Sequence, residues 1–171
     1  MERTENHGEA TAGRHVAPGA GERIWFTQNL MTFKATAETT GGAYTLLEAV
    51  APAGSGPPLH VHHREDEGFW VLEGTLSIRC GEETFTAGPG SYTFLPRGVP
   101  HAFVVEGDTQ ARVLSMATPG GLEGFFATVG RPAENDGLPP AGPPDVAALS
   151  RVGAEYHIEV LGPPMAPRGV S

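Results

Sequence analysis

From Ile24 onward the chain runs in short stretches of alternating apolar and polar positions, each closed by glycine, proline or polar residues. A period of two places successive side chains on opposite faces of a strand, so these stretches predict β-structure with one buried face. Residues 24–34 and 43–51 read as two antiparallel strands joined through Gly41-Gly42. In the second, Tyr44, Leu46 and Glu48 share one face and Thr45, Leu47 and Ala49 the other; the pattern leaves open which face lines an interior. Residues 59–62, 67–72, 74–80, 83–87, 91–95, 101–105 and 111–117 continue the series. At least eight short strands, with turn signals roughly every eight to twelve residues, describe an all-β sandwich or barrel.

Past Pro119 the period lengthens. Residues 121–129 present Leu122, Phe125, Phe126 and Val129 at helical spacing, a proline-rich connector covers 131–144, and Asp145 is placed to cap a second short helix over 146–152. Residues 155–161 read as extended. Helices this short persist only when packed on something larger. The expected organisation is a mobile tail over 1–21, a β-barrel over 22–118, and a segment over 119–171 packing on it, with Phe125 and Phe126 assigned to packing or, alternatively, to a cap over the cavity mouth.

Composition sharpens this picture. The 24 glycines and 16 prolines fall between apolar runs, as turn residues do in an all-β chain. A formal charge of −9 and a pI near 5.2 disfavour nucleic acid and anionic membrane surfaces as partners. The first residues have no apolar leader core, and no apolar run is long enough to span a bilayer, so a cytoplasmic protein is expected. A lone cysteine, Cys80, agrees with a reducing compartment and reads as a small core residue. His7, His15 and His157 read as solvated or structural.

Candidate chemistry concentrates between Gly54 and Gly74. If residues 59–62 are extended, His60 and His62 point the same way and His63 the opposite way. A polar turn through Arg64, Glu65 and Asp66, the last two read as solvated carboxylates, leads to a strand carrying Glu67, Phe69 and Val71 on one face. Such a hairpin returns Glu67 beside the two imidazoles, a donor set suited to a divalent transition metal. His101, after the stiff Pro96, Gly98, Pro100 turn, is the candidate fourth ligand. Phe69 and Phe103 share parity with ligands and, with Tyr92, are candidate pocket walls.

These residues carry a resemblance to the cupin superfamily. Gly54, His60, His62, Glu67 and Gly74 stand at every interval of its first motif, and Gly90, Pro96, Gly98 and His101 at those of its second, with Val105 where that motif has asparagine. The phrase Pro119-Gly120-Gly121-Leu122-Glu123-Gly124-Phe125-Phe126 and residues 156–164 resemble the C-terminal part of single-domain cupins labelled quercetin dioxygenase-like. The resemblance implies a jelly-roll (double-stranded β-helix) barrel and one metal ion, of iron, nickel, manganese, cobalt, copper or zinc. It further implies a homodimer, for which residues 24–34 are the candidate contact.

Three functions follow from it. The first is a metal-dependent dioxygenase opening a flavonol-like or other enolisable small molecule, with dioxygen as co-substrate and Glu67 as the group that takes the substrate proton. The second is a non-oxidative isomerase, cyclase or lyase built on the same ligands. The third is a non-catalytic small-molecule-binding cupin.

Overall fold

The computed structural model describes residues 12–168; the expected mobile tail over 1–21 therefore lies mostly outside the described residues. In chain order the elements are β1 Arg23–Phe26, β2 Asn29–Ala35, α1 Ala37–Thr40, β3 Thr45–Ala51, β4 Pro58–His62, β5 Asp66–Glu73, β6 Thr75–Cys80 and β7 Glu83–Ala87. They continue with β8 Tyr92–Leu95, β9 His101–Glu106, β10 Ala111–Thr118, α2 Leu122–Val129, β11 Arg131–Pro132, α3 Val146–Glu155 and β12 Ile158–Pro164. Two antiparallel sheets result, one of seven strands in the order β11-β1-β2-β3-β10-β5-β8 and one of five in the order β12-β4-β9-β6-β7.

Register fixes what faces inward. Across the larger sheet Phe33 pairs Leu47, Leu47 pairs Ser115 and Ser115 pairs Phe69, while Ala117 pairs Glu67 and Glu67 pairs Leu95. Directly opposed residues share a face, so Thr45, Leu47, Ala49 and Ala51 line the interior, and the question left open by the pattern is settled. On the smaller sheet His60 opposes His101, Ile78 opposes Phe103 and Leu76 opposes Val105. Leu76, Ile78 and Val105 are fully buried. Val105, standing where the second motif has asparagine, is thus a core side chain, and its backbone bonds the loop at Gly54 and Ser55.

Four motif glycines, Gly54, Gly74, Gly90 and Gly98, all adopt positive φ. Gly74 is also crowded: a Cβ there would lie 2.7 Å from the Ala111 backbone. The motif therefore records turns that only glycine makes without strain.

Residues 24–34 do not form the single strand expected. Phe26 pairs Asn29, which leaves Thr27 and Gln28 as a two-residue loop with Thr27 at φ 54. No glycine or Asn-Gly pair announced that hairpin. Nor is the segment an open edge for a partner: Ile24, Trp25, Phe26, Leu30, Met31 and Phe33 are buried, and β1 is already paired with β11. Large exposed apolar side chains gather instead on the outer face of the larger sheet, with Trp70 at 48%, Tyr92 at 55% and Phe94 at 55% exposure.

The C-terminal helices pack as the spacing implied. Leu122, Phe125 and Phe126 of α2 join Leu149 and Val152 of α3 in a cluster with Phe26 and Ile158. Phe26 meets Phe125 and Phe126 edge-on at 5.6 and 5.0 Å, a favoured aromatic arrangement. Glu123 anchors the whole segment. Its Oε1 accepts from the Ala37 amide at 2.6 Å, and its Oε2 accepts from the Gly121 amide at 3.0 Å and from the Thr45 hydroxyl. Because those donors sit on α1, β3 and the entry to α2, Glu123→Ala is expected to destabilise the protein by about 2 kcal/mol, the scale of losing charged hydrogen bonds from half-buried donors. Denaturant unfolding of the variant beside the parent measures it.

Candidate metal centre

The centre lies between the two sheets. β4 and β9 of the smaller sheet supply His60, His62 and His101, and β5 of the larger sheet supplies Glu67 from the facing side. One ligand atom from each of the four residues lies within 4.8 Å of all the others. His60 and His101 rings pack 4.5 Å apart, and His62 stacks on His101 at 5.3 Å. His62, Glu67 and His101 are buried, which is costly for polar groups that have no partner.

Each ring nitrogen has a defined orientation. His60 Nδ1 is 2.8 Å from the Pro58 carbonyl and His101 Nδ1 is 3.0 Å from the Val99 carbonyl. A carbonyl only accepts, so these rings carry the proton on Nδ1 and present the Nε2 lone pair to the centre. His101 Nε2 lies 3.3 Å from Glu67 Oε2 yet has no partner of good hydrogen-bond geometry, and His62 Nε2 stands 3.7 Å from the same oxygen. Buried nitrogens and a carboxylate oxygen converging without good mutual hydrogen bonds fit a divalent metal of the transition series.

Two supporting residues escaped the pattern. Ser115 of β10 donates to Glu67 Oε1 at 3.0 Å, which leaves Oε2 free to face the histidines. Glu65, read from its polar turn as a solvated carboxylate, is instead 2% exposed. Its Oε2 lies 3.7 Å from His62 Nδ1 and its Oε1 3.2 Å from Arg64, whose other nitrogen reaches the Gly120 carbonyl at 3.3 Å. Glu65 is thus a buried carboxylate behind His62, but at this separation neither its Oε2 nor His62 Nδ1 has a hydrogen-bond partner among the described residues, unlike the other two imidazoles with their backbone carbonyls. Its only sequence signal is a position three residues beyond His62. Asp66 is likewise not a free turn carboxylate: Arg97 clamps it through its amide at 2.9 Å and its guanidinium at 3.1 and 2.7 Å. The Gly98 amide bonds the His62 carbonyl at 2.8 Å, so the turn before His101 is tied directly to β4.

His63 points away as parity implied, bonding Glu159 at 3.0 Å on the surface, and His157 is exposed. A cavity of about 120 Å³ opens onto the centre, with His60, His62, Glu67 and Ser115 in its wall. Phe69 and Phe103 line it as an edge-on pair 5.5 Å apart, and Phe125 and Phe126 line it from α2. Tyr92 does not line it. It projects from the outer face, where its hydroxyl crowds Gly68. The parity used for the other aromatics was not available for Tyr92, because its strand carries no ligand.

Electrostatics follow from burial and proximity. Desolvation, with the neighbouring His101 and His62, lowers His60 to about 3. Burial opposes ionisation of Glu67, but His101, His62 and His60 outweigh it and hold the carboxyl at about 2. Burial also opposes charge on His101, and Glu67 reverses that, so its pKa is raised.

Residues 46–117 match the family model described as a cupin domain. Over 122 residues the chain is 29% identical to quercetin 2,3-dioxygenase of Bacillus subtilis strain 168, a match covering 71% of this chain and 36% of that protein. The chain thus spans about a third of that relative. In structure it resembles KdgF from Halomonas sp., with TM-score 0.57 and 15% identity over 66% of this chain and 98% of the other. A cupin-superfamily sugar phosphate isomerase from Silicibacter pomeroyi DSS-3 gives TM-score 0.55 and 19% identity over 61% and 75%. The two structural likenesses bear on the fold alone. Among the described residues, no helix is long and apolar enough to cross a membrane.

Two outcomes are expected. Glu65→Gln lowers the affinity for a divalent ion such as cobalt(II) by about 10- to 100-fold, read by competition with a chromophoric chelator. In chelator-treated protein, unfolding lets His60 take up a proton between its ordinary value of 6.5 and about 3, so stability falls as pH drops through that window. Glu67 contributes stability above 4.5 that is lost as pH falls towards 2. Thermal melts at stepped pH are expected to show this decline, and His60→Leu to flatten its upper part.

Proposed function

With a single cupin domain as the premise, we propose that the protein is a metal-dependent dioxygenase of a small aromatic or enolisable substrate, in the manner of flavonol ring opening. The observation that carries this reading is Glu67: a buried carboxylate with one oxygen held by Ser115 and the other facing three imidazoles, at the end of a largely apolar cavity. The sequence likeness to a quercetin 2,3-dioxygenase supports the reaction type.

His60, His62, Glu67 and His101 would hold a divalent transition metal, which supplies Lewis acidity and, when redox-active, electron exchange with dioxygen. The protein's own part is positioning and proton handling. Phe69 and Phe103 stack against the ring of the substrate and keep water from it. Glu67 Oε2 takes the proton of the substrate hydroxyl, which leaves the substrate electron-rich for reaction with dioxygen. Ser115 keeps Glu67 aimed while the proton is transferred, and Glu65 keeps His62 in its orientation.

Glu67→Gln is expected to retain bound metal and to lose turnover by about 10²-fold or more, the scale of removing a general base. Elemental analysis of the purified variant checks the first half, and an oxygen electrode with quercetin and related enols the second. Undiminished oxygen uptake by the variant overturns the role of Glu67; conversion of an enol without oxygen uptake overturns the oxygenase reading.

A further inference from the structure

Away from the centre the cavity wall contains one buried polar group with no protein partner among the described residues. Asn29, the first residue of β2, lines the cavity, and its Oδ1 is buried without a hydrogen bond from any group among the described residues. Its pairing with Phe26 puts both on the inward face, beside the aromatic cluster of α2. Asn29 is two inward-facing positions from Phe33, whose row contains Ser115, so strand rise sets it roughly 13 Å along the sheet from that row.

The surroundings keep that oxygen enclosed. The hairpin loop beside Asn29 is fastened under the proline-rich connector, with Gln28 Nε2 donating to the Gly142 carbonyl at 3.1 Å and Trp25 Nε1 to the Gly137 carbonyl at 2.8 Å. Arg131 lies over the Trp25 ring at 4.5 Å, and Pro144 joins Thr27 and Gln28 in the cavity wall. A buried amide left unpaired costs on the order of 1–3 kcal/mol, and a ligand donor at that point recovers it.

We propose that Asn29 is a specificity-determining residue that reads a second polar group on the substrate, accepting a hydrogen bond at Oδ1 from a hydroxyl remote from the reacting enol. The inference rests on the enolisable-substrate reading and deepens it: the ligand is apolar along its length and polar at both ends. An analogue lacking the remote hydroxyl leaves the amide unpaired, the kind of difference on which polar pockets discriminate.

The test uses the full chain loaded with cobalt(II) under anaerobic conditions, and two pairs of probes that differ in remote hydroxyls. Kojic acid against allomaltol samples a short span; quercetin against 3-hydroxyflavone samples a long one. Dissociation constants from the cobalt absorption bands are expected to favour the hydroxylated member of at least one pair by about 10-fold. Asn29→Leu and Asn29→Ala each abolish that preference while binding the less hydroxylated member as the parent does, which also reports that the variants are folded. Equal binding within both pairs by the parent, or a preference that survives both substitutions, overturns the role of Asn29 and leaves the parent reading standing. Binding of no probe by the loaded parent overturns the enolisable-substrate reading and this inference together.

Discussion

Three imidazoles and a carboxylate withdrawn from water between two apolar sheets set the terms for the rest of the molecule. Burial of such groups is unfavourable unless every proton and lone pair finds a partner. The chain meets that condition in part. Nδ1 of His60 and of His101 is bonded to a carbonyl two residues earlier on its own segment, at Pro58 and Val99, while Nδ1 of His62 faces Glu65 at 3.7 Å without a hydrogen bond. What remains, three Nε2 atoms and Glu67 Oε2, has nowhere to point but the centre.

That convergence depends on strand pairing more than on any single contact. His60 opposes His101 on the smaller sheet, while Glu67 arrives from the larger one, so a slip of one residue in either sheet would turn a ligand to solvent. Two guanidinium clamps act against such slippage. Arg97 ties the turn before β9 to Asp66 at the start of β5, and Arg64 ties the β4–β5 turn to Gly120 beyond β10. At Gly121 φ is 126°, which requires glycine, and at Gly120 a Cβ would lie 3.0 Å from the Ala37 Cα, so both glycines before α2 have a structural reason.

Alternation made the ligands legible. His60 and His62 sit two apart on one strand, and Glu67, Phe69 and Val71 two apart on the next, so parity alone placed them on common faces. Glu65 was hidden because it lies in a turn, where alternation carries no information, and its neighbours Arg64 and Asp66 are polar. Only the three-dimensional return of that turn beneath His62 buries it. The β1–β2 hairpin was hidden for a different reason: Thr27 reaches positive φ without the glycine that usually marks such a turn. β11 was missed as well, since two residues of a proline-rich connector hold no periodicity, and their pairing with β1 is set by where α2 ends.

The electrostatic arrangement constrains what Glu67 can do. A carboxyl held at about 2 by His101, His62 and His60 is a weak base, and Ser115 stabilises its anionic form further. Such a group would accept a proton efficiently only from a hydroxyl whose own acidity had been raised by a metal ion held at the same centre. On the proposed reading, proton transfer would be selective by position: a hydroxyl beside a metal held at the centre would be acidified, while one elsewhere in the cavity would keep its proton and act only as a hydrogen-bond donor. The same field that makes Glu67 a poor general-purpose base would therefore make it, in the proposed role, a discriminating one, and the apolar wall of Phe69 and Phe103 would maintain that field by keeping solvent from screening it.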